Sequence, residues 1–399
     1  MAFKDSASDI VISDKGELLH KSFNRLTGTI QSTETKIVAS DAASNDQFGF
    51  SVAVGSGRIV VGASRDDSLA GSNSGSAYIF DLDGTQIAKI VASDADGGDF
   101  FGFSVAVGSG RIVVGAYKAG GGHAYIFDLD GTQIAIIEGT GLQTGDQFGA
   151  GVAVGSGRIV VGADADDGLA GSAYIFDLDG TQLTRIKASD AAAGDLFGRS
   201  VAVGSGRIVV GAYRDDDNGS NSGSAYIFDL DGTQLTKITA SDGAADDSFG
   251  FSVAIGSGRI CVGAYDDDDN GSNSGSAYIF DLDGTQLAKI KASDGAADDE
   301  FGRSVAVGSG RIVVGGHPPY GATGSGSAYI FDLDGTQLAK IVSSDAANAD
   351  HFGVSLAIGS GRIVVGADFD DDTATDSGSA YIYDLDENFD TYIERQLGY

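Results

Sequence analysis

The chain of 399 residues is 42% hydrophobic and carries a formal net charge of −32 at pH 7. Such a charge repels nucleic acid and anionic membrane surfaces at long range, and no stretch is apolar for long enough to span a bilayer as a helix. The one cysteine, Cys261, leaves no disulfide framework and reads as a core thiol.

Of the 57 acidic residues only 6 are glutamate. Aspartate is a turn and metal-ligand residue, so the acids belong mostly to loops. The N-terminal stretch holds no apolar run of signal-peptide length. The protein is therefore expected to stay in the cytoplasm, or to leave by a route without a cleavable signal, such as assembly into a virion.

In chain order, residues 1–34 fit no repeat and read as an N-terminal anchor segment. From Thr35 onward one pattern recurs seven times, with Phe-Gly pairs at Phe48, Phe101, Phe148, Phe197, Phe249, Phe301 and Phe352, at intervals of 47 to 53 residues. A repeat of this length built from short strands indicates radial blades and not a helical solenoid. Residues 249–301 serve as the template. Phe251–Ile255 and Ile260–Gly263 are predicted strands, joined by the tight turn Gly256-Ser257-Gly258-Arg259 in which glycine supplies positive φ. Ala277–Leu282 is a third strand rich in aromatic and β-branched residues. Asp283-Gly284 is a two-residue turn signal, and Thr285–Ile290 is the fourth strand. No segment sustains a helical period. The fold class is all-β: a seven-bladed β-propeller of four-stranded antiparallel blades over residues 35–386, followed by a C-terminal tail, 387–399.

The last repeat lacks its fourth strand, because Glu387 breaks the Asp-Leu-Asp-Gly pattern. Its counterpart stands at the other end, where Thr35–Asp41 matches Thr236–Asp242. The N-terminal strand is thus expected to complete the last blade and close the ring. Strand parity puts both short turns, the arginines after Gly-Ser-Gly and the two terminal segments on one face, the lower. The acidic loops and the approach to each Phe-Gly lie on the upper. The terminal segments are expected to dock a protein partner, with the acidic loops outward.

The Phe-Gly and Val-Gly-Ala pattern resembles the FG-GAP repeat of integrin α-subunit heads and of many bacterial and phage surface proteins. The likeness is strongest at 240–250 and 215–226 and covers residues 35–386. It implies a propeller platform and no particular reaction. Two departures stand out. Gly-Ser-Gly-Arg replaces the integrin-type calcium loop between the first two strands. The proline after Gly-Ala is replaced by Ser64, Tyr117, Asp164, Tyr213, Tyr265, His317 and Asp368.

Candidate chemistry lies in the loops. Calcium takes six to eight hard oxygens, and alternate acids in the aspartate runs offer Asp215 with Asp217, Asp266 with Asp268, and Asp370 with Asp372. The same runs also read as solvated turns. Asp-Leu-Asp-Gly reads as a hairpin, and the aspartate two places before each Phe-Gly as a local backbone cap. Arg58 and its six counterparts are expected to pair with the hairpin acids of the next blade. His317 and His351 are expected to approach one another. Tyr117, Tyr213, Tyr265, His317, Tyr320 and Phe369 form either a rim for sugar stacking or protein anchoring, or a filling for the missing proline. Together these features describe a non-enzymatic recognition or assembly module, a virion structural or host-attachment component. The alternative is a lectin-like extracellular adhesin that binds glycans between blades with avidity.

Overall fold

The computed structural model of the protein describes residues 11–12, 18–19, 34–67, 71–319 and 324–385. Tyr320 and the anchoring role given to both terminal segments lie outside these, apart from a short pairing of Val11–Ile12 with Leu18–Leu19. Seven four-stranded antiparallel sheets form a ring of blades. In the fifth blade the strands are Ser252–Gly256, Arg259–Ala264, Ser276–Phe280 and Gln286–Ile290, from axis to rim. Glu34–Ile37 pairs with Ser379–Asp384, Glu34 opposite Tyr383, as the outer strand of the seventh blade. The ring is closed by the two ends of the repeat region, as the missing strand implied.

The repeated residues are mostly one device for packing blade on blade. Gly211 faces the next blade, and a Cβ there would lie 1.9 Å from the carbonyl oxygen of Gly250. That carbonyl accepts the Ser200 hydroxyl at 2.8 Å. Gly250 needs its own positive φ of 92°, which glycine adopts without strain. Phe249, fully buried, then wedges between the fourth and fifth blades, edge-on to Tyr278 at 5.4 Å. Burying a phenylalanine in this way is worth roughly 2–3 kcal/mol. The same contact closes the seam, where the Ser355 hydroxyl donates to the Gly49 carbonyl at 2.7 Å.

The two hairpins differ from each other. Ser257 and Gly258 both take positive φ (49° and 74°), so a serine fills the first turn position. Its hydroxyl accepts the Gly310 N–H of the next blade at 3.1 Å. The Asp-Leu-Asp-Gly hairpin is wider than the predicted two-residue turn. It spans Asp281 to Thr285, with a register shift between Ile279 and Phe280. The cause is Asp281, whose carboxylate accepts the N–H groups of Asp283 at 3.0 Å and Thr285 at 2.8 Å. The lower-face arginines close on this turn. Arg58 Nε donates to the Leu129 carbonyl of the next blade at 3.0 Å, and Arg362 to Leu82 across the seam at 3.0 Å. The carboxylate partner is secondary: Asp130 lies 3.2 Å from Arg58 and is 80% exposed.

Candidate functional site

Each acidic loop follows the second strand. In the fourth blade the Asp215 N–H donates to the Ala212 carbonyl at 3.1 Å and turns the chain back, leaving the Asp215 side chain buried. That carboxylate accepts Tyr226 Oη at 2.8 Å and Lys237 Nζ at 2.9 Å. Lys237 stands on the outer strand, Gln234–Ile238. Its ammonium also reaches Asp190 at 2.8 Å and Asp217 at 2.5 Å. Burial acts to lower the Lys237 pKa, but the hydrogen bonds of Asp190, Asp217 and Asp215 outweigh it and hold the ammonium above its ordinary range.

The same cluster recurs around the ring. Lys36 from the N-terminal strand binds Asp345, Asp370 and Asp372 at 2.7, 2.9 and 2.5 Å. Lys289 binds Asp242, Asp267 and Asp269 at 2.8, 2.8 and 2.7 Å. Lys89 binds Asp41 at 2.7 Å and Asp66 at 2.6 Å, and Arg185 takes the lysine's place in the third blade against Asp166 at 2.5 Å.

Four of the predicted metal ligands therefore come together, Asp215 with Asp217 and Asp370 with Asp372. Asp190 and Asp345 join them, with all ligand atoms of each triad within 4.8 Å. Asp266 and Asp268 do not. Asp266 accepts the Ser248 hydroxyl at 2.8 Å, and Asp268 accepts the Asn273 N–H at 2.7 Å. The four-aspartate run conceals its register: counted from Gly-Ala, Asp266 takes the position of Arg214, and Asp267 that of Asp215. Oxygen clusters of this density suit calcium, yet an ammonium stands among the oxygens a metal would take. With the lysine in place, these residues do not fit a calcium ion.

The aspartates ahead of each Phe-Gly are caps. Asp247 accepts the Ala244 N–H at 2.7 Å, and Asp46 that of Ala43 at 2.7 Å. Burial is the largest influence on both and raises them to about 6.

Four of the residues in the proline position, Tyr117, Tyr213, Tyr265 and His317, stand around the upper mouth of the channel, each against a ring from the segment at a Phe-Gly pair. Tyr117 lies 4.3 Å from Phe103, which itself lies 5.0 Å from Phe50. Tyr213 and Tyr265 flank Phe251 at 5.3 and 4.5 Å, with Arg303 over the Tyr265 ring at 5.2 Å. His317 stacks on His351 at 4.6 Å, and His351 meets Phe369 at 4.6 Å. Burial above all, with the charge of Arg303 beside it, takes the His317 pKa down to about 3, so this ring is neutral. Phe50, Phe103, Phe251, Arg199 and Arg303 escaped the sequence reading. Their signal was available: the residue after Phe-Gly is Phe, Phe, Ala, Arg, Phe, Arg and Val in turn. It varies inside an otherwise constant block.

Beneath this mouth lies a channel of 240 Å³ lined by first-strand valines and alanines such as Val105, Ala106 and Val152. On the upper face between the fourth and fifth blades is a cleft of 490 Å³. Tyr213 and Tyr265 form part of its wall, with Arg214, Asn221, Asp246 and Asn273 as its polar lining.

Seven stretches match the FG-GAP repeat: residues 32–80, 85–127, 132–176, 181–228, 233–280, 285–331 and 336–383. No curated protein matches the chain.

Proposed function

Since the chain belongs to the FG-GAP repeat family, with seven copies filling the ring, we propose that it is a non-enzymatic recognition and assembly module. Its place is a virion or a cell surface, and its upper face meets the partner. The observation that carries this reading is the contrast between the faces. Lower-face turns repeat in sequence from blade to blade, and five of the seven arginines make the same clamp onto the next hairpin. Blade-to-blade variation gathers on the upper face, at Tyr117, Tyr213, Tyr265, His317 and Phe369. A surface that varies on an invariant frame suits recognition.

Two further features support it. Most outer-strand cations are tied down in internal ion pairs, so the outward field is acidic and suits a basic partner surface. Five blades also expose an apolar residue on the rim, Ile87, Ile134, Leu183, Leu235 and Leu287, with Leu183 at 49% and Leu235 at 48%, which suits lateral packing in an assembly. In this reading the chain's own ammonium groups, and not calcium, hold the loops. Immunolabelling of particles and cells carrying the full chain, beside a form lacking residues 1–33, tests the placement. Surface label for the full chain and its loss on truncation are expected. Full-length protein confined to the cytoplasm would defeat the reading.

The cleft at Tyr213 and Tyr265 favours a second reading, a lectin-like adhesin, since paired aromatic faces beside amide and carboxylate groups suit a saccharide. A glycan array separates the two. Sugar binding lost in Tyr213→Ala and Tyr265→Ala supports the lectin, and silence across the array supports assembly.

A further inference from the structure

In five blades the outer-strand cation and the buried loop acid occur together: Lys89 with Asp66, Arg185 with Asp166, Lys237 with Asp215, Lys289 with Asp267 and Lys36 with Asp370. In the second blade both are gone, replaced by Ile136 and Ala119. The sixth blade alone keeps the cation, Lys340, without the acid. Pro319 stands at the position of Asp267 and, having no N–H, cannot make the turn that buries the carboxylate elsewhere.

The donors that serve this carboxylate are nevertheless all present. Asp267 accepts Ser276 Oγ at 3.0 Å, Tyr278 Oη at 3.0 Å and Lys289 Nζ at 2.8 Å. Their counterparts are Ser327, Tyr329 and Lys340, and these line a cavity of 170 Å³ walled by Pro318 and Gly324. Lys340 has lost the inner acid and keeps Asp294 at 2.8 Å, with a third of its side chain exposed. Asp299 also borders the cavity. Its equivalent Asp247 lies close to a buried carboxylate in the fifth blade, so a second acid is tolerated at this spacing.

We propose that this cavity of the sixth blade is a carboxylate-binding site. A ligand carboxylate takes the place that an aspartate of the chain fills in the five paired blades, accepting from Lys340, Tyr329 and Ser327. The ligand is either a small free carboxylate or an acidic side chain of a docking protein. This assignment is independent of the recognition reading, because it rests on the comparison among blades.

The test is ¹³C-acetate line broadening and N-acetyl-aspartate amide titration on the full chain in chloride-free buffer. The wild type is expected to bind. Lys340→Met should weaken binding about tenfold or more, as loss of a hydrogen bond to a charged group implies. Pro319→Asp should abolish binding by supplying the acid internally, and remains informative if Lys340→Met fails to fold. Tighter binding of the aspartyl amide than of acetate points to a protein acid, and the reverse points to a small molecule. No binding of either probe at tens of millimolar would overturn the assignment. So would binding unchanged by Lys340→Met and Pro319→Asp.

Discussion

Replacing Lys237 with methionine keeps an unbranched apolar stem and removes the charged group at the centre of the fourth blade's cluster. Asp215, 5% exposed in its side chain, then faces Asp190 and Asp217 with no cation among them. Breaking a fully buried pair costs about 3–5 kcal/mol. Here Asp190 and Asp217 are 44% and 55% exposed, so solvent screens part of the repulsion. About 2–3 kcal/mol is the expected loss at neutral pH. At roughly 2 cal/mol/K of unfolding entropy per residue, 1 kcal/mol shifts the midpoint of a chain this long by about 1 °C, so Tm falls by about 2–4 °C if the ring melts as one unit. The three carboxylates, freed of the ammonium, become a hard-oxygen site, and millimolar calcium should recover most of the loss. Circular-dichroism melts of wild type and variant, each with calcium and with EDTA, read all four values. The reasoning fails if the variant melts with the wild type, or if EDTA lowers the wild type as much as it lowers the variant.

Removing Glu34–Ile37 should strip the outer strand from the seventh blade, uncover Ala380 and Ile382, and lower Tm by more than the lysine substitution does; an unchanged melt would contradict the closure. Gly211→Ala should cost about 3 kcal/mol by overpacking, since its Cβ meets the Gly250 carbonyl at 1.9 Å, and a denaturant midpoint close to wild type would refute that contact. Stability should peak on the acid side of neutrality. Asp46, Asp247 and Asp350 are raised to about 6, chiefly by burial, so the stability they contribute is present below their unfolded value near 3.9 and lost as pH rises through about 6. Asp41, Asp190, Asp242 and Asp345 run the other way. Burial acts to raise them, but bonds from lysine and tyrosine prevail and lower them, so their contribution is lost as pH falls below about 4. A Tm that climbs steadily from pH 5 to pH 8 would contradict this balance.

The propeller was legible because its devices are local and copied: Phe-Gly, Val-Gly-Ala and Gly-Ser-Gly-Arg mark contacts that recur at fixed spacing. The closing strand was legible as well, since Thr35–Asp41 repeats Thr236–Asp242. The acid clusters were half legible. Asp215 and Asp217 stand out as a run, but Asp190 and Lys237 lie far along the chain on either side, and only blade packing brings the three acids to one ammonium. In the fifth blade the run of four identical residues erases the register that the Gly-Ala step would otherwise set. The paired histidines were foreseen because both break the repeat. The mouth residues were overlooked because Phe50, Phe103 and Phe251 look like part of the Phe-Gly signature while packing elsewhere.

The seam has a mechanical consequence. Glu34 lies opposite Tyr383, and the paired strands run in opposite directions, so the backbone enters and leaves the ring at the same end of that pair. Tension pulling the two ends apart would open the seam like a zipper, one rung after another, and not load all its rungs in shear. If both ends are tethered to a common base, traction on the far face passes into the base without being borne by this pairing. A molecule held by one end alone, with its opposite end under load, would unravel there first.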